Sequence, residues 1–144
     1  MLTYKKLNLI DGPDTDLANF FRLLKEALEA KKPGSSAHVN IELLSKIIAT
    51  GTITGHVAEV DGEAVALQIW EAAQFWFDTS TKFANLRLQY MAYATPAEQV
   101  GFMQWGAAQA QEGVSVITTI DAADQLYPIL PHCGLEDFGH VKRL

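Results

Sequence analysis

The chain has 144 residues, enough for one domain with a core of its own. Apolar types make up 49% and charged types 19%, which excludes disorder as the main state, and the single cysteine, Cys133, excludes a disulfide framework or a thiolate zinc cluster. The net charge of -6 is uneven: seven of the eleven basic residues precede Ala49, and only Lys82 and Arg87 oppose eleven carboxylates between Ile47 and Val141, a balance that repels a phosphate backbone and predicts no nucleic-acid partner.

No run reaches the roughly 18 apolar residues of a membrane helix, and the apolar stretch after Lys6 breaks at Asp11, too soon for a signal peptide. A soluble, cytoplasmic chain with no membrane partner is expected. Between Leu88 and Gln111 the only charge is Glu98, so this segment should lie inside the domain or against another chain.

Leu2 to Leu9 alternates loosely and ends at Asp11-Gly12-Pro13, which predicts an edge strand. Asp14 or Thr15 then caps a helix whose Leu17, Phe20, Phe21, Leu24 and Leu28 form one buried stripe, ended by Lys31-Lys32-Pro33-Gly34. Asn40 caps a second helix to about Thr50, with Leu43, Leu44, Ile47 and Ile48 inward. Ile53 to Val60, Asp61-Gly62 and Glu63 to Trp70 predict an antiparallel hairpin, because Asp-Gly tolerates the positive φ angles of a tight turn. Phe75-Trp76-Phe77 extends its second strand, and Asp78 to Thr81 is a polar turn.

Ala84 to Thr95 reads as a strand with Leu86, Leu88 and Tyr90 on one face, stopped at Pro96. Ala97 to Gln111 is a helix with Val100, Met103, Trp105 and Ala107 inward, followed by a strand from Val114 to Ile120. Asp121 caps a short helix holding Leu126, Tyr127 and Leu130, and Phe138 to Leu144 supplies a last strand. No repeat or linker divides the chain, so residues 1–144 form a single domain. His132, Cys133 and His140 lack metal-ligand spacing, and no metal site is expected. Hydrolase, NTPase and zincin motifs are likewise missing.

This order, from Gly55-His-Val-Ala-Glu-Val-Asp-Gly through Leu67 and from Tyr90 to Phe138, resembles the GNAT N-acetyltransferase family across nearly the whole chain. The resemblance implies an α/β (α+β) fold, with a central mixed, mostly antiparallel sheet flanked by helices. It also implies acetyl-CoA as cofactor if the protein is active. Backbone groups of Met91, Ala92 and Tyr93 would orient the thioester. The family's pyrophosphate turn reads Gln or Arg, two residues, Gly, one residue, then Gly or Ala. The matching stretch is Glu98-Gln-Val-Gly101-Phe-Met103, which keeps only the central glycine. Glu98 places a carboxylate where the anion would sit, or simply favours its own helix dipole, and Met103 places a long side chain where backbone approach needs almost none.

The family's acid is a tyrosine four residues before the closing Gly. That position is Leu130 here, with Tyr127 one turn earlier as the candidate acid. Glu71 is the candidate base, with His56 and Glu59 also placed by position. The stretch from Gln74 to Ser80 resembles a group of small phage-encoded GNAT-like proteins, which adds a virion setting to the cytoplasmic one. Trp76 and its neighbours alternate in a way that presents a ring to each face, as at an interface. Two readings follow: a binding or structural module with an eroded coenzyme loop, working through a protein partner or homo-oligomer and needing no cofactor, or an acyl-CoA-dependent N-acetyltransferase acting on an amine.

Overall fold

The computed structural model describes residues 2–75, 78–110 and 115–118. Its elements run β1 (Thr3–Lys6), α1 (Asp14–Lys31), a 3-10 turn (Ser35–His38), α2 (Ile41–Ala49), β2 (Ile53–Val60), β3 (Glu63–Phe75), β4 (Asp78–Met91), α3 (Pro96–Ala108) and β5 (Ser115–Thr118). The strands form one sheet in chain order. The first four are antiparallel and β5 runs parallel to β4, so the sheet is mixed and mostly antiparallel, with β1 on the edge as expected. A parallel neighbour needs a crossover, and α3 supplies it.

The β2–β3 hairpin turns at Asp61 (φ 51°) and Gly62 (φ 80°), two successive left-handed residues that suit the sheet's twist. Val57 pairs with Leu67 and Ala58 with Ala66, but Glu59 pairs with Ala64, so Val65 bulges. A second bulge corrects the sequence reading. Ile69 pairs with Leu88 and Trp70 with Leu86, leaving Arg87 as the extra residue. The pleat therefore changes phase at Arg87, and Leu86 faces away from Leu88 and Tyr90 rather than with them.

Alternation divides the core into two. On one face Phe20 and Leu23 of α1 and Ile48 of α2 pack on Leu7, Val57 and Leu67, with Leu88 and Tyr90 at the margin. On the other, Met103 packs on Trp70 and Leu86, and Phe102 packs on Ala58 and Ala66. A sheet covered on both faces has no room for a charged inner row, which is why β3 carries Ala66, Gln68 and Trp70 opposite its apolar set.

Several boundaries differ from the sequence reading. Asp78 to Thr81 begins β4 instead of turning, since Asp78 pairs with Phe75 and the β-branched Thr79 and Thr81 suit a strand. β4 stops at Met91, short of Thr95, which is recruited as the N-cap of α3. α3 ends at Ala108. Helix α1 has Pro13 at its N-cap and no side-chain cap from Asp14 or Thr15. The acid that matters there is Asp16, 3% exposed, which accepts the Asn8 N–H at 2.9 Å and the Lys5 ammonium at 3.3 Å, tying the helix to the end of β1.

Asn40 caps α2 as expected, accepting the Leu43 N–H at 3.0 Å. Leu43 and Ile47, however, are 54% and 38% exposed, because this nine-residue helix meets the core through Leu44 and Ile48 alone. Trp76, Phe77, the helix holding Tyr127, the closing strand and the His132, Cys133 and His140 set lie outside the described residues.

Candidate functional site

The end of the sheet where β4 gives way to α3 is built by two local conflicts. Tyr93 takes a left-handed conformation (φ 59°) that turns the chain sharply out of β4 and leaves its side chain wholly in solvent. Thr95 then caps α3. Its hydroxyl accepts the Glu98 N–H at 3.2 Å, while the Glu98 carboxylate accepts the Thr95 N–H at 3.0 Å, a reciprocal capping box. Pro96, the first helical residue, has no N–H to offer. In that turn only Ala97 keeps an N–H unengaged by the cap.

The Thr95 backbone bond, and then the bond to its side chain, hold the Glu98 carboxyl below its ordinary value, so the group is ionised at neutral pH. Met91, Ala92, Tyr93 and Glu98 line one cavity of about 390 Å³ at this end, together with Asp61 and Glu63 of the hairpin. Among the described residues its lining holds three carboxylates and no Lys, Arg or His.

Four of the six residues proposed for the coenzyme thus come together. Two do not. A Cβ on Gly101 would approach the Tyr4 hydroxyl at 3.2 Å, so that residue faces β1 and not the cavity. Met103 is 1% exposed in the core against Trp70 and Leu86, two turns into α3, where it cannot fill the approach to the helix N-terminus. The position that the family motif gives to a small residue is here an inward position of the helix, as the periodicity of Ala97 to Gln111 predicts.

The candidate bases lie away from this cavity, and Glu71 and His56 both border a second cleft of about 720 Å³. Glu71 on β3 is half-buried and pairs across the sheet with Ile53 and Asn85, on the α1 and α2 face. Asn85 stands six residues along β4 from Met91, roughly 20 Å at strand rise. His56 lies on the opposite face, 2% exposed, and Glu59 sits near the hairpin turn. Tyr127 lies outside the described residues.

A buried polar chain escaped the sequence reading. His56 Nδ1 lies 3.0 Å from Gln68 Oε1, which also accepts the Trp70 indole N–H at 2.9 Å. Gln68 Nε2 donates to Gln89 Oε1 at 2.6 Å and to the Phe102 carbonyl at 2.8 Å, and Gln89 Nε2 donates to the Gln99 carbonyl at 2.9 Å. Two glutamines from neighbouring strands thereby fix α3 against the sheet through its own carbonyls. Gly106 lets the helix come this close, since any Cβ there would overlap the Gln68 amide. The available signal was that Gln68 and Gln89 are amides, not charges, on a face that a helix must cover.

No protein-family model matches the sequence, and no curated protein matches it either. Solved structures do. The chain is 16% identical to a predicted acetyltransferase with acetyl-CoA from Clostridium acetobutylicum, covering 100% of this chain and 96% of that one with a TM-score of 0.70. An aminoglycoside antibiotic 6'-N-acetyltransferase from Acinetobacter baumannii is 10% identical over 100% and 97% of the two chains, TM-score 0.69. An aminoglycoside acetyltransferase from an uncultured soil metagenomic sample, in complex with sisomicin, is 12% identical over 99% and 95%, TM-score 0.68. The strand order, the α3 crossover and these likenesses define the class: the chain has the GNAT acetyltransferase fold.

Proposed function

We propose that this GNAT-fold chain has lost the pyrophosphate site of the coenzyme and works as a non-catalytic binding or structural module for a protein partner or a second copy of itself. The observation that carries this reading is the start of α3. A helix N-terminus holds a pyrophosphate through unpaired N–H groups and a favourable dipole. Here the Thr95–Glu98 capping box and Pro96 leave only the Ala97 N–H in the first turn, and Glu98 adds a full negative charge.

Asp61 and Glu63 across the cavity act in the same direction. Such a lining favours a cationic group, such as a lysine or arginine of a partner, over an anion. The resemblance of Gln74 to Ser80 to small phage-encoded proteins fits a role in assembly or host binding, in the cytoplasm or a virion. Amide NMR tests the proposal: adding acetyl-CoA should leave the Ala97 and Glu98 resonances unmoved, whereas saturable shifts at both would overturn it.

A second reading keeps acyl-CoA-dependent N-acetyl transfer to an amine, and the neighbour containing acetyl-CoA favours it. Met91 to Tyr93 would then orient the thioester and Tyr127 would protonate the departing thiolate, while Glu71 stands too far along the sheet to take the amine proton directly. Release of free thiol on mixing with acetyl-CoA and a panel of amines separates it from the first.

A further inference from the structure

The Gln68 amide decides where the proton of His56 resides. An indole N–H only donates, so the atom 2.9 Å from Trp70 Nε1 is the amide oxygen. Its partner nitrogen meets the Phe102 carbonyl, which only accepts, and this agrees with the same assignment. An amide oxygen cannot donate, and therefore His56 Nδ1 carries the hydrogen in the 3.0 Å bond. The neutral ring keeps its lone pair on Nε2, which is buried and has no partner among the described residues.

A proton added at Nε2 would create a buried N–H with no acceptor, in a ring that bears a full charge. The surroundings offer little relief. From α3 the ring meets Trp105 edge-on, with centroids 4.9 Å apart, and from β3 it meets Gln68. Lys6, directly opposite on β1, repels an imidazolium, and Glu71 of β3 and Lys82 of β4 border the same cleft as the ring. Trp105 covers one side of the ring and adjoins Gly106, whose close seat on Gln68 holds the helix.

We propose that His56 is an acid-sensitive clasp: protonation at Nε2 loosens the Trp105–Gly106 end of α3 from the sheet, and neutralisation closes it again. A cleft of about 720 Å³ beside the ring, walled by Thr54, Trp70, Gly106 and Gln109, gives water an entry and the helix end room to lift. Burial, and then the Lys6 charge, lower the pKa of His56, while the Gln68 bond offsets part of that shift.

Amide hydrogen exchange between about pH 7.5 and pH 5, corrected for intrinsic rates, tests the clasp on the whole chain. Protection in the second half of α3 should fall roughly tenfold or more as the pH drops, while β2 and β3 stay protected. His56→Asn, whose amide can still donate to Gln68, should make that protection independent of pH. Nitrogen NMR of the imidazole in the unmodified chain is the second readout: it should show the Nδ1–H tautomer at neutral pH and a proton arriving at Nε2 as α3 loosens. An Nε2–H tautomer at neutral pH, a charged His56 with α3 still protected, or an equal acid response in a folded His56→Asn chain would each overturn the proposal.

Discussion

Glu98 and Thr95 hold each other at the start of α3, the carboxylate on one backbone N–H at 3.0 Å and the hydroxyl on the other at 3.2 Å. The charge of Glu98 and its capping role can be separated, because glutamine also serves at the third helical position. Glu98→Gln should leave the unfolding midpoint unchanged and strengthen acetyl-CoA binding through loss of repulsion. Thr95→Ala should instead cost about 1 kcal/mol of stability. Denaturant titration and calorimetry read the two quantities.

Met103 gives the opposite result. Its side chain fills the core between Trp70 and Leu86. Met103→Ala should destabilise the chain by about 2–5 kcal/mol in urea unfolding and leave acetyl-CoA binding unchanged. A gain in binding on this substitution alone would return Met103 to the coenzyme path.

Much of the fold was legible in the sequence because its signals were local. Asp61-Gly62 between two alternating runs admits one solution, and Asn40 before Ile41 marks a helix start by the bond it makes to Leu43. Bulges were not legible. Nothing in the residues around Arg87 announces that the strand changes phase there, so Leu86 was assigned to the wrong face. At the site the two signals disagreed: the periodicity of Ala97 to Gln111 put Met103 inward on a helix, where it lies, whereas the family motif gave the same residue a place in the coenzyme path. The His56, Gln68 and Gln89 chain depends on three strands and a helix meeting, which spacing along one segment cannot show.

Helix α2 offers a direct check on that lesson, since periodicity makes Leu43 and Ile48 equivalent and the structure does not. Ile48, 3% exposed, should cost about 2–5 kcal/mol when changed to alanine. Leu43, 54% exposed, should cost about 0.5 kcal/mol or less. Equal losses, measured by urea unfolding, would contradict the placement of α2.

Stability should also depend on pH through His56. Its folded pKa lies below the ordinary 6.5, so the unfolded chain binds more protons in that range and stability rises with pH. The His56 contribution is complete above about pH 6.5 and declines as the pH falls below it toward the folded pKa. Unfolding midpoints at about pH 7.5 and pH 5 should therefore differ more for the unmodified chain than for His56→Asn.

Calorimetric titration of the unmodified chain with acetyl-CoA shows whether the capped and acidic start of α3 holds a coenzyme pyrophosphate. No saturable heat is expected at ligand concentrations up to about 1 mM. Binding with a Kd in the micromolar range or tighter would contradict the loss of the pyrophosphate site.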